Sequence, residues 1–329
     1  MHIPENYLSP STCILATVAM APVWRAAARH LREEVPREKV PLIGVAAAFS
    51  FLAMMFNVPL PGGTTGHAVC GTLIAILFGP WSAVLAISVA LAIQAVFFGD
   101  GGILSLGANC LNMAFALPFV GHAVYSAVRR AIGGERGELL SAGIGSYVGL
   151  NAAALLCALE FGVQPLLFHD ASGAALYCPY PLSVSVPAMM VGHLSVAGLA
   201  EAGLTVGILA FLRSAAPSFG IETRADSPAG LAPVLGLVLA LVAASPLGLL
   251  ATGDAWGEWG VEDLAGMVGY TPAGLGSGWE WGSLMPDCAV GALPEWIGYI
   301  VSAIVGVTLL VIVFRLASPI ARPRVDFDA

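Results

Sequence analysis

The chain has 329 residues, of which 58% are hydrophobic and 10% are charged, and its mean hydropathy is +0.86. Because a soluble domain carries roughly 25% charged residues, this composition excludes a soluble globular protein and predicts an all-α protein that crosses a membrane several times. The lipid bilayer is therefore the expected partner, and no nucleic-acid partner is expected. The net charge of −8 becomes informative only when the charges are assigned to the two sides of the membrane.

Apolar runs long enough to cross roughly 30 Å of hydrocarbon recur along the chain, and a shorter one ends at Gly79-Pro80. The runs lie at about 9–28, 41–57, 67–79, 81–98, 103–127, 139–162, 181–212, 229–250 and 296–316. They predict a seven-helix membrane domain over 1–213, a cytoplasmic linker rich in Pro and Ser over 214–228, and a two-helix tail over 229–329. The short run is expected to cross because other helices surround it. No cleavable signal peptide is expected, since a basic n-region is missing.

The 13 lysines and arginines give the orientation. With nine crossings all of them fall on one side, which the positive-inside rule makes the cytoplasm. The amino terminus is then outside and the carboxyl terminus inside. The loops at 58–66, 99–102, 163–180 and 251–295 become external, and they hold no lysine or arginine.

The first two residues, Met1 and His2, form a potential metal chelator. The α-amine of Met1, the amide nitrogen of His2 and its imidazole Nδ1 can close two fused rings around one ion. These donors lie nearly in a plane, and a fourth nitrogen would complete the square geometry that Ni(II) and Cu(II) prefer. We expect His67 to supply it, because the orientation places His67 on the same external face. A frayed terminus without ligand is the alternative.

The loop before His67 reads Pro61-Gly-Gly-Thr-Thr-Gly-His67. Its glycines predict a tight turn that lets backbone approach another segment closely. We expect His67 to open the next helix, with Thr64 or Thr65 as the cap, so that the helix amino terminus keeps the imidazole neutral.

Polar residues inside apolar runs are costly and usually face the interior of a helix bundle. Asn109 and Asn112 are expected near the outer end of their helix, where they could support the ligands together with Thr65 and Gly66; ordinary hydrogen bonds between helices are the alternative. His193 and Glu201 lie on one helical face and are interpreted as packing or gating groups. His169, beside Asp170, is expected to be a surface histidine.

The external loop of the tail, about 251–295, contains seven acidic residues, five tryptophans counting Trp296, and no basic residue. Its carboxylates could concentrate cations, and its tryptophans suit a membrane interface. A solvated connector is an equally good interpretation.

Several catalytic motifs are absent. The only lysine, Lys39, follows Glu38, so the sequence contains no P-loop and no ATP site is expected. Zincin and nucleophile-elbow motifs are also missing, and we expect no enzymatic activity. Energy for transport would come from an ion gradient or from a partner, and the scarcity of buried carboxylates favours a partner.

Two stretches, Met1-His-Ile-Pro-Glu-Asn-Tyr-Leu-Ser-Pro10 and Val58-Pro-Leu-Pro-Gly-Gly-Thr-Thr-Gly-His67, together resemble the CbiM/NikM family. Phe98-Gly-Asp-Gly-Gly-Ile-Leu-Ser-Leu-Gly-Ala-Asn109 is similar to the next stretch that the family shares. These proteins are the substrate-capture components of energy-coupling-factor transporters for cobalt and nickel. The resemblance covers about residues 1–213. It implies a seven-helix bundle into which the amino terminus inserts, with the metal held by Met1, His2 and His67.

The tail resembles the small accessory subunit that often accompanies this family. The Pro-Asp-Gly-Leu-Glu signature of that subunit is absent, and Ala251-Thr-Gly-Asp-Ala-Trp-Gly-Glu-Trp259 stands near its place. The resemblance implies transport of Co(II) or Ni(II), driven by a transmembrane coupling protein and cytoplasmic ABC-type ATPases. Small residues at Cys13, Thr17 and Ala21 give the first helix a face where such a partner could dock, or where the chain packs on itself.

Two other functions remain possible on the residues alone. The first is a self-sufficient channel or secondary transporter for divalent transition metals. The second is a membrane metalloenzyme, which would need an open coordination position and a base that four nitrogens in a square do not readily leave. The sequence does not choose between nickel and cobalt, and Cu(II) should bind at least as well by intrinsic affinity.

Overall fold

The computed structural model describes residues 1–216, 219 and 231–321, without the side chains of residues 135 and 136. Its α-helices are α1 (Pro10–Glu33), α2 (Val40–Met54), α3 (Gly71–Phe78), α4 (Pro80–Ile93), α5 (Leu106–Asn109), α6 (Leu117–Ile132), α7 (Gly134–Leu167), α8 (Leu182–Gly192), α9 (Gly198–Ala215), α10 (Ala232–Ala244), α11 (Val261–Val268), α12 (Ala273–Gly276) and α13 (Glu295–Ala317). Two strands, β1 (Val58–Leu60) and β2 (Thr64–Gly66), form a hairpin.

Three π-helical segments interrupt or extend these helices. Gln94–Phe98 extends α4, Cys110–Ala116 joins α5 to α6, and His193–Ala197 joins α8 to α9. Such segments are rare and frequently occur at functional sites. Gln94 opens the first segment and Asn109 directly precedes the second, and both residues lie near the amino-terminal segment, as described below.

Each of the nine predicted apolar runs contains a helix. Seven helical stretches of the described chain are long and apolar enough to cross a membrane: Pro10–Glu33, Pro80–Phe98, Leu106–Ile132, Gly137–Leu167, Leu182–Ala215, Ala232–Leu250 and Glu295–Ile320. The helices of the remaining two runs, α2 with 15 residues and α3 with eight, are shorter but almost wholly buried. This agrees with the expectation that a short helix near 67–79 is surrounded by others. The orientation of the bundle stays a prediction.

The tail packs directly on the first part of the chain through α13 and α2. A Cβ atom added to Gly44 would lie 2.7 Å from the Cβ of Phe314, and Gly306 faces the ring of Phe51 in the same way. These glycines let the two helices approach closely. Apart from residues 214–216 and 219, the predicted linker at 214–228 lies outside the described residues.

One face of the bundle gathers the hairpin and the loops around 100, 175 and 251–294. The carbonyl of Asp254 accepts hydrogen bonds from the amide of Thr65 at 3.3 Å and the hydroxyl of Thr64 at 2.8 Å. The amide of Met285 donates to the carbonyl of Phe97 at 2.8 Å. The loop of the tail therefore covers the first part of the chain on the face that carries residues 1–9, which we call the N-terminal face.

The predicted helix start at His67 is wrong. Thr64 and Thr65 do not cap a helix, because they pair with β1 around a turn in which Gly62 and Gly63 both have positive φ. Helix α3 begins only at Gly71. His67 lies in the connection between the hairpin and this helix, so a helix amino terminus does not account for its protonation state.

Candidate metal centre

The amino-terminal segment is held inside the protein by main-chain hydrogen bonds to distant residues. Asn109 accepts from the amide of Ile3 at 2.8 Å and donates to its carbonyl at 3.1 Å, while the amide of Gly102 donates to the same carbonyl at 2.8 Å. Ile3 is completely buried. These bonds fix the backbone one residue after His2, so the position of the chelating residues is set by the loop at 99–105 and the helix that follows it.

Glu5 binds the same segment to the same loop at 99–105. Its carboxylate accepts hydrogen bonds from the amides of Ile103, at 2.5 Å, and Leu104, at 3.2 Å. A Cβ atom added to Gly102 would lie 2.7 Å from the amide nitrogen of Glu5. A glycine is thus required where the two backbones meet.

The α-amine of Met1 forms an ion pair with Glu258 of the tail, with 3.0 Å between the nitrogen and Oε1. The Met1 side chain is 1% exposed and that of Glu258 is 21% exposed. Burial alone would lower the pKa of the amine, but the charge and hydrogen bond of Glu258, with smaller contributions from Cys157 and Asp100, raise it above its usual 8.0. In the metal-free protein the amine is therefore protonated at neutral pH.

His2 is oriented by the loop at 99–102. Its Nδ1 is hydrogen-bonded to Oδ1 of Asp100, whose Oδ2 accepts from Gln94 at 3.0 Å. Burial would raise the pKa of Asp100, but the charge of His2 and its hydrogen bond lower it below the usual value. The other ring nitrogen of His2, Nε2, is buried and has no hydrogen-bond partner.

His67 lies next to His2. The ring centroids are 4.9 Å apart, and His67 is 7% exposed. Its Nδ1 is 3.3 Å from the carbonyl of Ala68, whereas Nε2 is buried without a partner. Burial lowers the pKa of His67 well below 6.5, and the charges of His2 and the α-amine lower it further. Burial, and not the predicted helix amino terminus, is thus the main influence that favours the neutral imidazole.

The side chains at this place are two imidazoles, which are nitrogen donors, and the carboxylates of Asp100 and Glu258, which are oxygen donors. Among the described residues, no group of three or more His, Cys, Asp or Glu side chains forms a metal site. Four-coordinate binding by nitrogen alone would use the main-chain nitrogens of Met1 and His2 as well as imidazoles. Buried polar atoms normally have partners, so the unpartnered Nε2 of His67 marks a place for a ligand. For Nδ1 of His2 to bind metal, it has to exchange Asp100 for the ion.

The residues predicted to support the ligands occupy different positions. Asn109 holds Ile3, and the hydroxyl of Thr65 donates to the carbonyl of Gly253 at 3.2 Å. Gly66 packs against Leu60 within the hairpin. Asn112 instead donates to Glu160 at 2.6 Å, which is a bond between helices.

Glu201 has a definite structural role that the sequence did not indicate. Its Oε2 accepts hydrogen bonds from the amides of Val69, at 2.8 Å, and Cys70, at 2.9 Å. It therefore fixes the connection that carries His67. His193, one helical segment earlier, is hydrogen-bonded through Nδ1 to the carbonyl of Met189 at 2.8 Å.

The small-residue face of α1 is divided. Cys13 is buried, and Thr17 lies against Gly107, whose added Cβ would be 2.6 Å from the Cα of Thr17. Ala21 is exposed. Only Cys13 is thus buried within the chain, since Thr17 contacts Gly107 but is exposed. The docking of a partner on this face stays a prediction.

Asp100, Gln94 and Glu258 were not predicted as site residues. Asp100 stands within the Gly-Asp-Gly-Gly stretch that carries the family resemblance, which is a usable signal. Glu258 is one of seven acids in the loop of the tail, and only its contact with Met1 distinguishes it.

Comparison with known proteins identifies both parts of the chain. Residues 2–219 match the CbiM family, described as "Cobalt uptake substrate-specific transmembrane region", and residues 232–322 match the PDGLE domain. The second match holds although the five-residue signature itself is absent.

Similar proteins span the whole length. A fused nickel transport protein NikMN of Rhodobacter capsulatus is 50% identical over 94% of this chain and 95% of its own. A probable fused nickel transport protein LarMN of Lactiplantibacillus plantarum is 45% identical over 96% and 97%. A crystal structure of a transition metal transporter, 51% identical, covers 65% of this chain and 93% of its own with a TM-score of 0.62.

With its long apolar helices, the protein is a multi-pass protein of the plasma membrane. Residues 2–219 match one family and residues 232–322 the other, and the relatives named as fused NikMN and LarMN proteins match along almost the whole chain. The chain is therefore a member of the CbiM family of metal transport proteins, fused to a PDGLE-type tail.

Proposed function

We propose that this protein is the substrate-binding membrane component of an ATP-driven uptake transporter, and that it captures Ni(II) or Co(II) with the α-amine of Met1, the amide and imidazole of His2, and His67. One observation carries this proposal. The buried, unpartnered Nε2 of His67 belongs to a ring whose centroid is 4.9 Å from that of His2, and His2 directly follows the buried α-amine. In this role the metal is the substrate, and the protein needs no resident cofactor.

Energy would come from partners. The sequence contains no P-loop lysine, so we assign ATP hydrolysis to cytoplasmic ABC-type ATPases and the link to them to a transmembrane coupling protein. The family resemblance supports this division of labour. The proposal also adopts the predicted orientation, with the N-terminal face outside and the arginine-rich loops in the cytoplasm.

The choice of metal rests on the relatives and on ligand chemistry. Two full-length relatives are named as nickel transport proteins, and the family description names cobalt. Four nitrogens in a plane suit Ni(II). Because Cu(II) has at least equal intrinsic affinity for such donors, we assign selectivity to the shape of the site and to metal supply.

His67→Ala tests the assignment in the purified full-length protein. The variant should lose stoichiometric tight binding of Ni(II) and Co(II), since it removes the neutral imidazole of the set, yet remain folded. His169→Ala is the matched control, because His169 is exposed and bonded only within its own turn. Isothermal titration calorimetry and metal analysis after gel filtration would measure both. Tight stoichiometric binding by His67→Ala would refute the proposed ligand set.

Transport by the chain alone distinguishes the partner-driven role from a channel or secondary transporter. The protein reconstituted in vesicles should bind metal without carrying it across. Sustained ATP-independent flux into the vesicles would contradict the proposed division of labour while leaving the metal ligands untouched.

A further inference from the structure

A cavity of about 440 Å³ lies between the first part of the chain and the tail. His2, His67 and Gln94 line it from the first part of the chain, and Glu258 and other residues line it from the tail. Three buried atoms of the first group have no hydrogen-bond partner: Nε2 of both histidines and Oε1 of Gln94. The cavity is thus lined by two of the proposed metal-binding residues and by buried polar atoms that have no hydrogen-bond partner.

The tail lines this cavity with carboxylates. Asp254, Asp287 and Glu295 are exposed, whereas Glu258, deeper in, is 21% exposed and touches the α-amine. The described residues that line the cavity include Asp100 as well, but no lysine or arginine. Negative charge therefore continues from the surface to the buried nitrogens, and such a cleft raises the local concentration of cations.

The size of the cavity also suits a hydrated ion. Six waters of a hydration shell, at about 30 Å³ each, occupy about 180 Å³, well within 440 Å³. A smaller cavity, lined by Met1 and lying between the hairpin, Met189 and Trp256, measures about 10 Å³. That space holds at most about one water. Of these two cavities, only the larger one, which is lined by His2, His67 and Glu258, can admit a hydrated dication.

We infer that a hydrated divalent transition-metal ion reaches its ligands through this cavity, and that Asp254, Asp287 and Glu295 of the tail set the rate of capture. This inference rests on the proposed function and assigns the tail a part in it. Glu258 marks the inner end of the route, where the ion meets the α-amine. The tail then accelerates binding without itself supplying a ligand.

Two triple variants of the full-length protein test the route. Asp254→Asn/Asp287→Asn/Glu295→Gln removes three charges from the cavity. Glu262→Gln/Asp263→Asn/Glu280→Gln removes three charges from exposed positions of the same loop that do not line it. Both change the net charge equally. Stopped-flow measurement of Ni(II) capture, at low and at high ionic strength, gives the association rate for each.

We expect the cavity variant to capture Ni(II) at least about 10-fold more slowly at low salt, within the range of electrostatic steering. Its salt dependence should flatten, and its dissociation rate should change less than about threefold. The control variant should match the parent. If both variants are slowed equally, or if neither is slowed, the inference is overturned. Tight Ni(II) binding by the parent would in that case still support the proposed function. A parent that binds no Ni(II) overturns the proposed function, and the inference with it.

Discussion

Inserting one alanine between Met1 and His2 is the sharpest perturbation of the proposed ligand set. The backbone cannot absorb the extra residue downstream, because Ile3 is fixed by Asn109 and Gly102 through bonds of 2.8–3.1 Å. One residue adds up to about 3.3–3.6 Å of chain. The insertion therefore displaces the α-amine by a distance comparable to the 3.0 Å between its nitrogen and Oε1 of Glu258, which breaks the ion pair. The inserted amide also separates the amine from the chelate rings that His2 would close.

We expect this insertion to weaken Ni(II) binding by more than about 100-fold, since loss of groups outside the ligand set already costs about 10- to 100-fold. Competition with a chromophoric chelator would measure the change in the purified protein. As a control, an alanine inserted between Gly133 and Gly134, which are exposed and meet no neighbours, should bind like the parent. Binding within threefold of the parent by the first insertion would refute the role of the α-amine.

Acidification from pH 8 to 6 should weaken Ni(II) affinity by at least about 100-fold per pH unit, because the raised pKa of the Met1 amine leaves one proton to displace and the His2 amide gives up another. His67 adds no further proton, since its lowered pKa keeps it neutral there. Calorimetry in buffers of different pH would measure the Ni(II) affinity, and an affinity that does not change with pH would contradict this prediction. Gly102→Ala should lower the unfolding free energy by about 1–3 kcal/mol, because the new Cβ would meet the backbone of Glu5. Gly203→Ala should not lower it, because a Cβ added there has no neighbour within 4 Å. Thermal unfolding measures both variants, and equal melting temperatures would contradict this prediction.

The helices, and the two segments that carry Met1-His2 and His67, could be identified from the sequence because each leaves a local signal. Hydropathy marked all nine helical runs, including the buried α3. The glycine-rich stretch before His67 indicated close backbone contact, which the hairpin now explains. The helix expected at His67 was wrong because Gly62-Gly63 between Val58–Leu60 and Thr64–Gly66 favours a hairpin turn. That short-range signal competed with the cap and prevailed.

The groups that tune the site left no local signal. Glu258 lies 257 residues from its partner Met1, and Asp100 lies 98 residues from His2. Their contacts depend on how the tail and the loop at 99–105 fold over the amino-terminal segment. One sequence without such contacts gives no reason to choose Glu258 over the other six acids of its loop. The neutral form of His67 was predicted from the dipole of a helix that does not begin there, whereas burial is the main cause that lowers its pKa.

The ion pair between Met1 and Glu258 also imposes an order on biosynthesis. Met1 must wait for a partner that emerges 257 residues later, which at 5–20 residues per second is roughly 13–50 s. During that interval the amino-terminal segment has no complete binding surface on the nascent chain. A ribosome that stops before the tail therefore releases a protein whose proposed metal pocket lacks a wall. Loading with nickel would then report that synthesis had reached the tail and that the tail had folded into place.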